Sequence, residues 1–210
     1  MKNNSLLVSG IAVALLGIGA AQAADQPVSG GALTWGVTTE PSCFDPHRSS
    51  QQAAFFVARN YIDSLIAKKT DGTFAPWLAT EWSISADGKE YTYKLREDVV
   101  FHDGEKFDAA AVKANFDFIF KPENAATAVS LLQTFDHAEV VSPYVVKLVL
   151  SKPDSSFLES TSNVKLGLIS PKALEKGDLC GGGRALAGTG PFIFEGYTRG
   201  QSAVFVRNPA

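Results

Sequence analysis

A chain of 210 residues that is 45% hydrophobic and 20% charged can build a packed core and is too apolar for wholesale disorder. Its formal net charge of −3 gives no electrostatic reason to expect nucleic acid or an anionic membrane surface as a partner. The large aromatic load, 14 Phe and 3 Trp, is read first as core. The N-terminus opens with Lys2 among polar residues, continues through an apolar run over residues 6–20 broken only by Ser9, and ends in Ala21-Gln22-Ala23. That is the three-part pattern of a secretory signal peptide, residues 1–23, with a small-x-small cleavage site. The run is shorter than the roughly 20 residues of a spanning helix. No Cys follows the site, so the mature chain is expected to begin near Ala24 and to be free in the periplasm.

Residues 25–31 read as a lead-in and residues 32–37 as a strand. A polar loop over residues 39–50 contains two prolines, and Ser49 or Ser50 is placed to cap a helix carrying Phe55, Ile62 and Ile66 on one face. Asp71-Gly72 marks a turn. Residues 82–85 and 91–95 flank Ala86-Asp87-Gly88-Lys89 as a hairpin, with Tyr91, Tyr93 and Leu95 on one face of its second arm. Asp108 is an N-cap for a helix through Phe120, which Pro122 stops. A second hairpin joins residues 139–141 to residues 145–150. Gly181-Gly182-Gly183 opens an expected flexible stretch to Gly190, and residues 192–197 and 203–207 read as two last strands. Hairpins mixed with isolated helices suggest an α/β or α+β fold rather than a strict βαβ array.

Chemistry-bearing patterns are sparse. His47, His102 and His137 are far apart and form no HExxH or HxH spacing, and the turn in Phe101-His102-Asp103-Gly104 accounts for His102. There is no GxSxG elbow. Gly188-Thr189-Gly190-Pro191 lacks the Lys-Ser/Thr ending of a phosphate loop and reads as a tight turn. Glu40 and Asp45 read as exposed loop carboxylates rather than an acid pair. No catalytic residue, metal or cofactor is expected. Two cysteines, Cys43 and Cys180, are too few for a structural zinc site; an oxidising compartment permits a disulfide between them.

The order of the short motifs resembles solute-binding protein family 5, the dipeptide-, oligopeptide- and nickel-binding receptors of ABC importers. The motifs are Ser42-Cys43-Phe44-Asp45-Pro46-His47, then Pro76-Trp77-Leu78-Ala79 through Trp82 to Asp87-Gly88-Lys89-Glu90-Tyr91-Thr92, then Phe101-His102-Asp103-Gly104, then Gly188-Thr189-Gly190-Pro191 and Arg207-Asn208-Pro209. The resemblance runs from about Ala32 to the last residue and implies a periplasmic binding protein-like type II fold, α/β, with two lobes closing on a ligand. It assigns residues 24–50 and 164–210 to the ligand-bearing lobe and residues 51–163 to an inserted subdomain, with the second lobe missing. It implies that Glu40, Pro41, Ser42 and Cys43 contact the ligand, and it puts Cys43 and Cys180 in one lobe, where they are expected to pair. Family members continue well beyond Arg207-Asn208-Pro209, so the chain reads as a fragment holding one wall of the cleft.

The function so implied is that of a monomeric receptor handing a peptide to a membrane permease, with nickel chelates, opines or another small solute as the alternative. A secreted enzyme and an interaction domain acting without solute are the readings from other classes; the first lacks a nucleophile–base pair, and failure to bind any solute would favour the second. Mass spectrometry of the exported protein should give a mature start at Ala24, and a retained Met1 on membrane-bound material would contradict the reading of residues 1–23.

Overall fold

The alternation Tyr91, Tyr93, Leu95 is the pattern from which the larger layer is built, because successive strand residues face opposite sides of a sheet. The computed structural model describes residues 30–177 and 179–209; the expected leader, residues 1–23, lies outside them. Residues 30–36 are exposed and carry no regular structure. No strand forms over residues 32–37 as expected, because a strand exists only through a hydrogen-bonded neighbour and none of the described strands pairs with them.

The first helix, α1 (Gln52–Ala58), is shorter than its apolar spacing suggests. Asn60 turns its Nδ2 back to the Val57 carbonyl at 2.9 Å, competing with continuation of the helix. Neither Ser49 nor Ser50 is the N-cap; Gln51 is, with no side-chain cap bond. Ile66 therefore starts a strand, β1 (Ile66–Lys68), which pairs with β2 (Phe74–Pro76) around the expected turn, where Thr73 donates twice to the Asp71 carboxylate.

β3 (Ala79–Ile84) and β4 (Glu90–Leu95) form the expected hairpin, and Gly88 supplies the positive φ of +70° that its turn needs. Helix α2 (Ala109–Phe120) begins where the Asp108 carboxylate accepts from the Ala111 N–H at 2.8 Å. It ends at Lys121, which is forced into extended backbone before Pro122. β5 (Phe135–Ser142) and β6 (Val145–Leu150) complete a four-stranded antiparallel sheet in the order β3-β4-β6-β5. Tyr91 sits opposite Leu148 and Tyr93 opposite Val146, so one face of the sheet is continuously apolar. Helix α2 packs on β5 and β6, closing a first core that includes Phe101, Phe107, Phe116 and Phe157.

Two short helices follow, α3 (Phe157–Ser162) and α4 (Pro171–Leu174), and then the hairpin β7 (Phe192–Thr198) and β8 (Ser202–Arg207). A second core gathers around Phe44, Tyr61, Leu186 and Phe194. Tyr61 is fully buried, and its hydroxyl donates to the Phe44 carbonyl at 2.7 Å. The later part of the stretch from Gly181 to Gly190 is packed, contrary to expectation: Leu186 and Ala187 are buried, and the space a Cβ would need at Gly190 is filled by Tyr61 backbone atoms 2.7–2.8 Å away, while Gly181 is exposed. Glycine here serves close backbone approach rather than mobility. None of the described helices is long and apolar enough to cross a membrane.

A polar staple joins the two cores. Asn115, buried on α2, donates to the Ile169 carbonyl at 2.7 Å and accepts from the Ile169 N–H at 2.9 Å. Asn115→Ala would leave both backbone groups of Ile169 without this partner, and the stability measured by urea unfolding should fall by about 3 kcal/mol. His47 is buried, its Nε2 2.8 Å from the Gly167 carbonyl, and its Nδ1 has no hydrogen-bond partner among the described residues. Burial, opposed in part by the Asp45 carboxylate, holds its pKa below the ordinary value. The unfolded chain therefore takes up this proton first as pH falls through about 6.5, so the stability from neutral His47 is present above that pH and is lost below it. The urea midpoint should drop between pH 7.5 and 5.5, and His47→Gln should remove that part of the drop.

Candidate ligand-binding site

The loop from Glu40 to Cys43 has no regular structure and is held by its side chains. The exposed Glu40 carboxylate accepts from the Tyr197 hydroxyl and from the Gly200 N–H, the latter at 2.6 Å, so the loop is tied to the β7–β8 turn. These two donors lower the Glu40 pKa, and the same contact raises that of Tyr197. Pro41 is buried. Ser42 is exposed and donates through both its N–H and its hydroxyl to the Gln51 side-chain oxygen, at 2.7 and 3.1 Å. Cys43 is joined to Cys180 by a disulfide, beside a backbone bond from the Phe44 N–H to the Cys180 carbonyl at 3.0 Å. Asp45, read from the sequence as an exposed carboxylate, is fully buried: its Oδ1 accepts from the His47 N–H at 2.9 Å, shaping the turn that carries Pro46 inward.

The histidines lie apart. His47 is in the interior, His102 is half-buried on the Gly190 carbonyl at 2.9 Å, and His137 is exposed between Asp136 and Glu139. His102 thus does more than make a turn: its N–H also donates to the Gly188 carbonyl at 2.8 Å, so it clamps the Gly188–Gly190 segment, and burial lowers its pKa. Thr189 completes this seam by donating to Asp63, whose other oxygen takes the Trp77 indole N–H at 2.8 Å.

Two adjoining hollows open where α1 meets the segment after α3. The larger, about 310 Å³, is lined by Arg59, Asp63, Trp77 and the Lys68–Glu159 pair, whose charges meet at 2.6 Å. The smaller, about 190 Å³, is lined by Gln52, Phe55, Phe56, Arg59, Leu131, Asn163, Val164 and Lys165. None of the eight is acidic. Lys165 donates to the Thr127 carbonyl at 3.1 Å, lies 6.0 Å from the Phe55 ring centre, and has its pKa lowered by burial. Neither Lys165 nor Arg59 joins an ion pair among the described residues. Helix α1 places Gln52, Phe55, Phe56 and Arg59 about one turn apart, on adjoining parts of its surface. The smaller hollow therefore offers two cations and two primary amides over aromatic rings, a composition suited to an anionic group. These residues escaped sequence reasoning because Arg59 and Lys165 belong to distant segments. The sequence signal that was available is Arg59, a charge on the face of α1 that also carries Phe55.

The family model for bacterial extracellular solute-binding proteins, family 5 Middle, matches residues 73–210. The chain is 33% identical over 189 residues to the glutathione-binding protein GsiB of Salmonella paratyphi A, covering 89% of this chain and 36% of that protein. Among solved structures it is similar to NikA from Brucella suis in complex with Fe(III)-EDTA, at 38% identity and a TM-score of 0.71, covering 80% of this chain and 34% of that one. It is also similar to the binding protein AgaA of A. tumefaciens in complex with agropinic acid, at 29% identity and a TM-score of 0.73, with 80% and 34% coverage. The fold is that of part of a type II periplasmic binding protein, and the chain spans about a third of the length of these relatives. A match over most of the chain, with a relative above 30% identity covering nearly all of it, makes this protein a member of family 5 of the bacterial extracellular solute-binding proteins.

Proposed function

We propose that the chain carries one wall of the ligand cleft of a periplasmic receptor for an ABC importer, and that its solute is a peptide presenting a free carboxylate. The receptor performs no covalent chemistry; it encloses its solute, and closure signals loading to a membrane permease. In this reading residues 24–50 and 164–210 belong to the ligand-bearing lobe and residues 51–163 to the inserted subdomain. Glu40, Pro41, Ser42 and Cys43 border the ligand.

The observation that carries the solute class is the hollow at Lys165. A half-buried lysine without an ion-pair partner among the described residues leaves a positive charge whose desolvation is offset by an arriving anion, and the exposed Arg59 adds a second cation beside it. Gln52 and Asn163 add amide donors, and Phe55 and Phe56 add apolar surface for the neighbouring part of the solute. Glutathione, named for the GsiB relatives, is a peptide with free carboxylates and fits this chemistry. The second reading is a metal chelate or opine, favoured because structures similar to this one hold Fe(III)-EDTA, Ni(L-His) and agropinic acid, which also carry carboxylates.

Calorimetric titration of the natively exported protein with glutathione, an unmodified tripeptide and Ni(II)–histidine should show binding to at least one of them. Lys165→Gln should weaken that binding by roughly ten-fold or more, since a charge-assisted hydrogen bond is lost. Lys165→Arg should retain most of the affinity, and amidation of the solute's carboxylate should mimic Lys165→Gln. Unchanged affinity in both Lys165→Gln and the amidated solute would refute the assignment of the hollow.

A further inference from the structure

We infer that the disulfide between Cys43 and Cys180 is a positioning element for the loop at Glu40–Cys43, fixing the conformation in which that loop faces solute. The inference rests on the receptor reading for the loop's role, but the positioning itself can be judged without any solute.

Two irregular segments meet at this bond. The stretch from Glu40 to Cys43 belongs to no helix or strand, and neither do Leu179 to Gly182 on the other side. Neither segment has a backbone ladder of its own, and the bridge joins them across 137 residues of sequence. Just below the bond the chain is anchored without it. Phe44 is 1% exposed, its ring meets Phe194 edge-on at 5.0 Å and Tyr197 at 4.6 Å, and its carbonyl is held by the Tyr61 hydroxyl. Gly182, with φ +67°, lets its segment pass directly over the rings of Phe194 and Phe44.

The second core is therefore built from packing that survives loss of the bridge. Above Phe44 the other described ties are Ser42 to Gln51 and Glu40 to Tyr197 and Gly200. On the loop's side those ties rest on the exposed Ser42 and Glu40, whose contacts compete with water and hold a loop weakly. A covalent link removes the loop's alternatives regardless of solvent, and so removes an ordering cost that binding would otherwise meet. The bond acts on the loop's conformation more than on the core beneath it.

The test compares the natively exported protein with the double variant Cys43→Ala, Cys180→Ala, and with wild-type protein treated with dithiothreitol. In that treatment dithiothreitol gives up two electrons and two protons and becomes its cyclic disulfide, and the protein disulfide becomes two thiols. Amide hydrogen exchange should speed up at residues 40–43 and 179–183 while Tyr61, Ile62 and Phe194 stay protected. The affinity for whichever of glutathione, tripeptide or Ni(II)–histidine binds the wild type should fall by roughly ten-fold. Reoxidation of the reduced wild type should restore both readouts. Exchange at residues 40–43 equal to wild type in the double variant overturns the proposal, as does loss of protection spread evenly through the second core. An oxidised wild type that binds none of the three solutes removes the receptor reading, and the exchange comparison then still decides the positioning role.

Discussion

Residues 60–63 are where the separate segments of the molecule are made to agree. The Asn60 carbonyl accepts from the Phe192 N–H at 2.9 Å, the Tyr61 carbonyl from the Gly190 N–H at 3.2 Å, and the Asp63 carbonyl from the Leu168 N–H at 2.8 Å. Side chains repeat the pattern: the Tyr61 hydroxyl reaches Phe44, and the Asp63 carboxylate reaches Trp77 and Thr189. Three backbone and three side-chain contacts thus fall on one short connection between α1 and β1. Such crowding requires glycine at positions 188 and 190, since a side chain on either would collide with Tyr61. Backbone hydrogen bonds buried this way are costly to lose, so the segment fixes where α1 leaves and where the loop before it returns.

The same junction positions the residues proposed to bind solute. The last turn of α1 carries Arg59 and Phe55 outward, and the segment that reaches Asp63 through Leu168 carries Asn163 and Lys165 shortly before it. Charge balance separates the two hollows. In the larger one each acid is already satisfied, Glu159 by Lys68 and Asp63 by two neutral donors. In the smaller one the Lys165 ammonium meets a carbonyl and an aromatic ring, and none of the lining residues is acidic. A cation so placed contributes little to folding, which makes it available to a visitor.

Local physics was legible in the sequence and convergence was not. The sheet hairpins follow from alternation at Tyr91, Tyr93 and Leu95, and α2 follows from Asp108 at one end and Pro122 at the other, because each rests on neighbours in the chain. The apolar spacing of Ile62 and Ile66 continues that of α1, although Ile62 joins the core of Val57 and Ala58 from beyond the helix and Ile66 enters the other core on a strand. The glycines of residues 181–190 read as slack, yet Gly182 admits Phe194, and Gly188 and Gly190 admit Tyr61, which no local pattern reveals. Motif order identified the family, whereas Arg59 and Lys165 are united only by the folded chain.

The cysteine pair has a further meaning for how the molecule is made. The sheet from β3 to β6 uses partners close along the chain, apart from the longer step between β4 and β6, and can assemble early. The second core cannot, because Phe44 must wait for Phe194. In any chain that emerges N-terminus first, Cys43 is therefore available as a lone thiol while well over a hundred residues follow it, and Cys180 arrives last. With 2 cysteines in these 210 residues, they can pair with each other in one way only. A lone thiol is open to bonding elsewhere during that interval, so the time the second core takes to close is also the time for which Cys43 stays exposed to such errors.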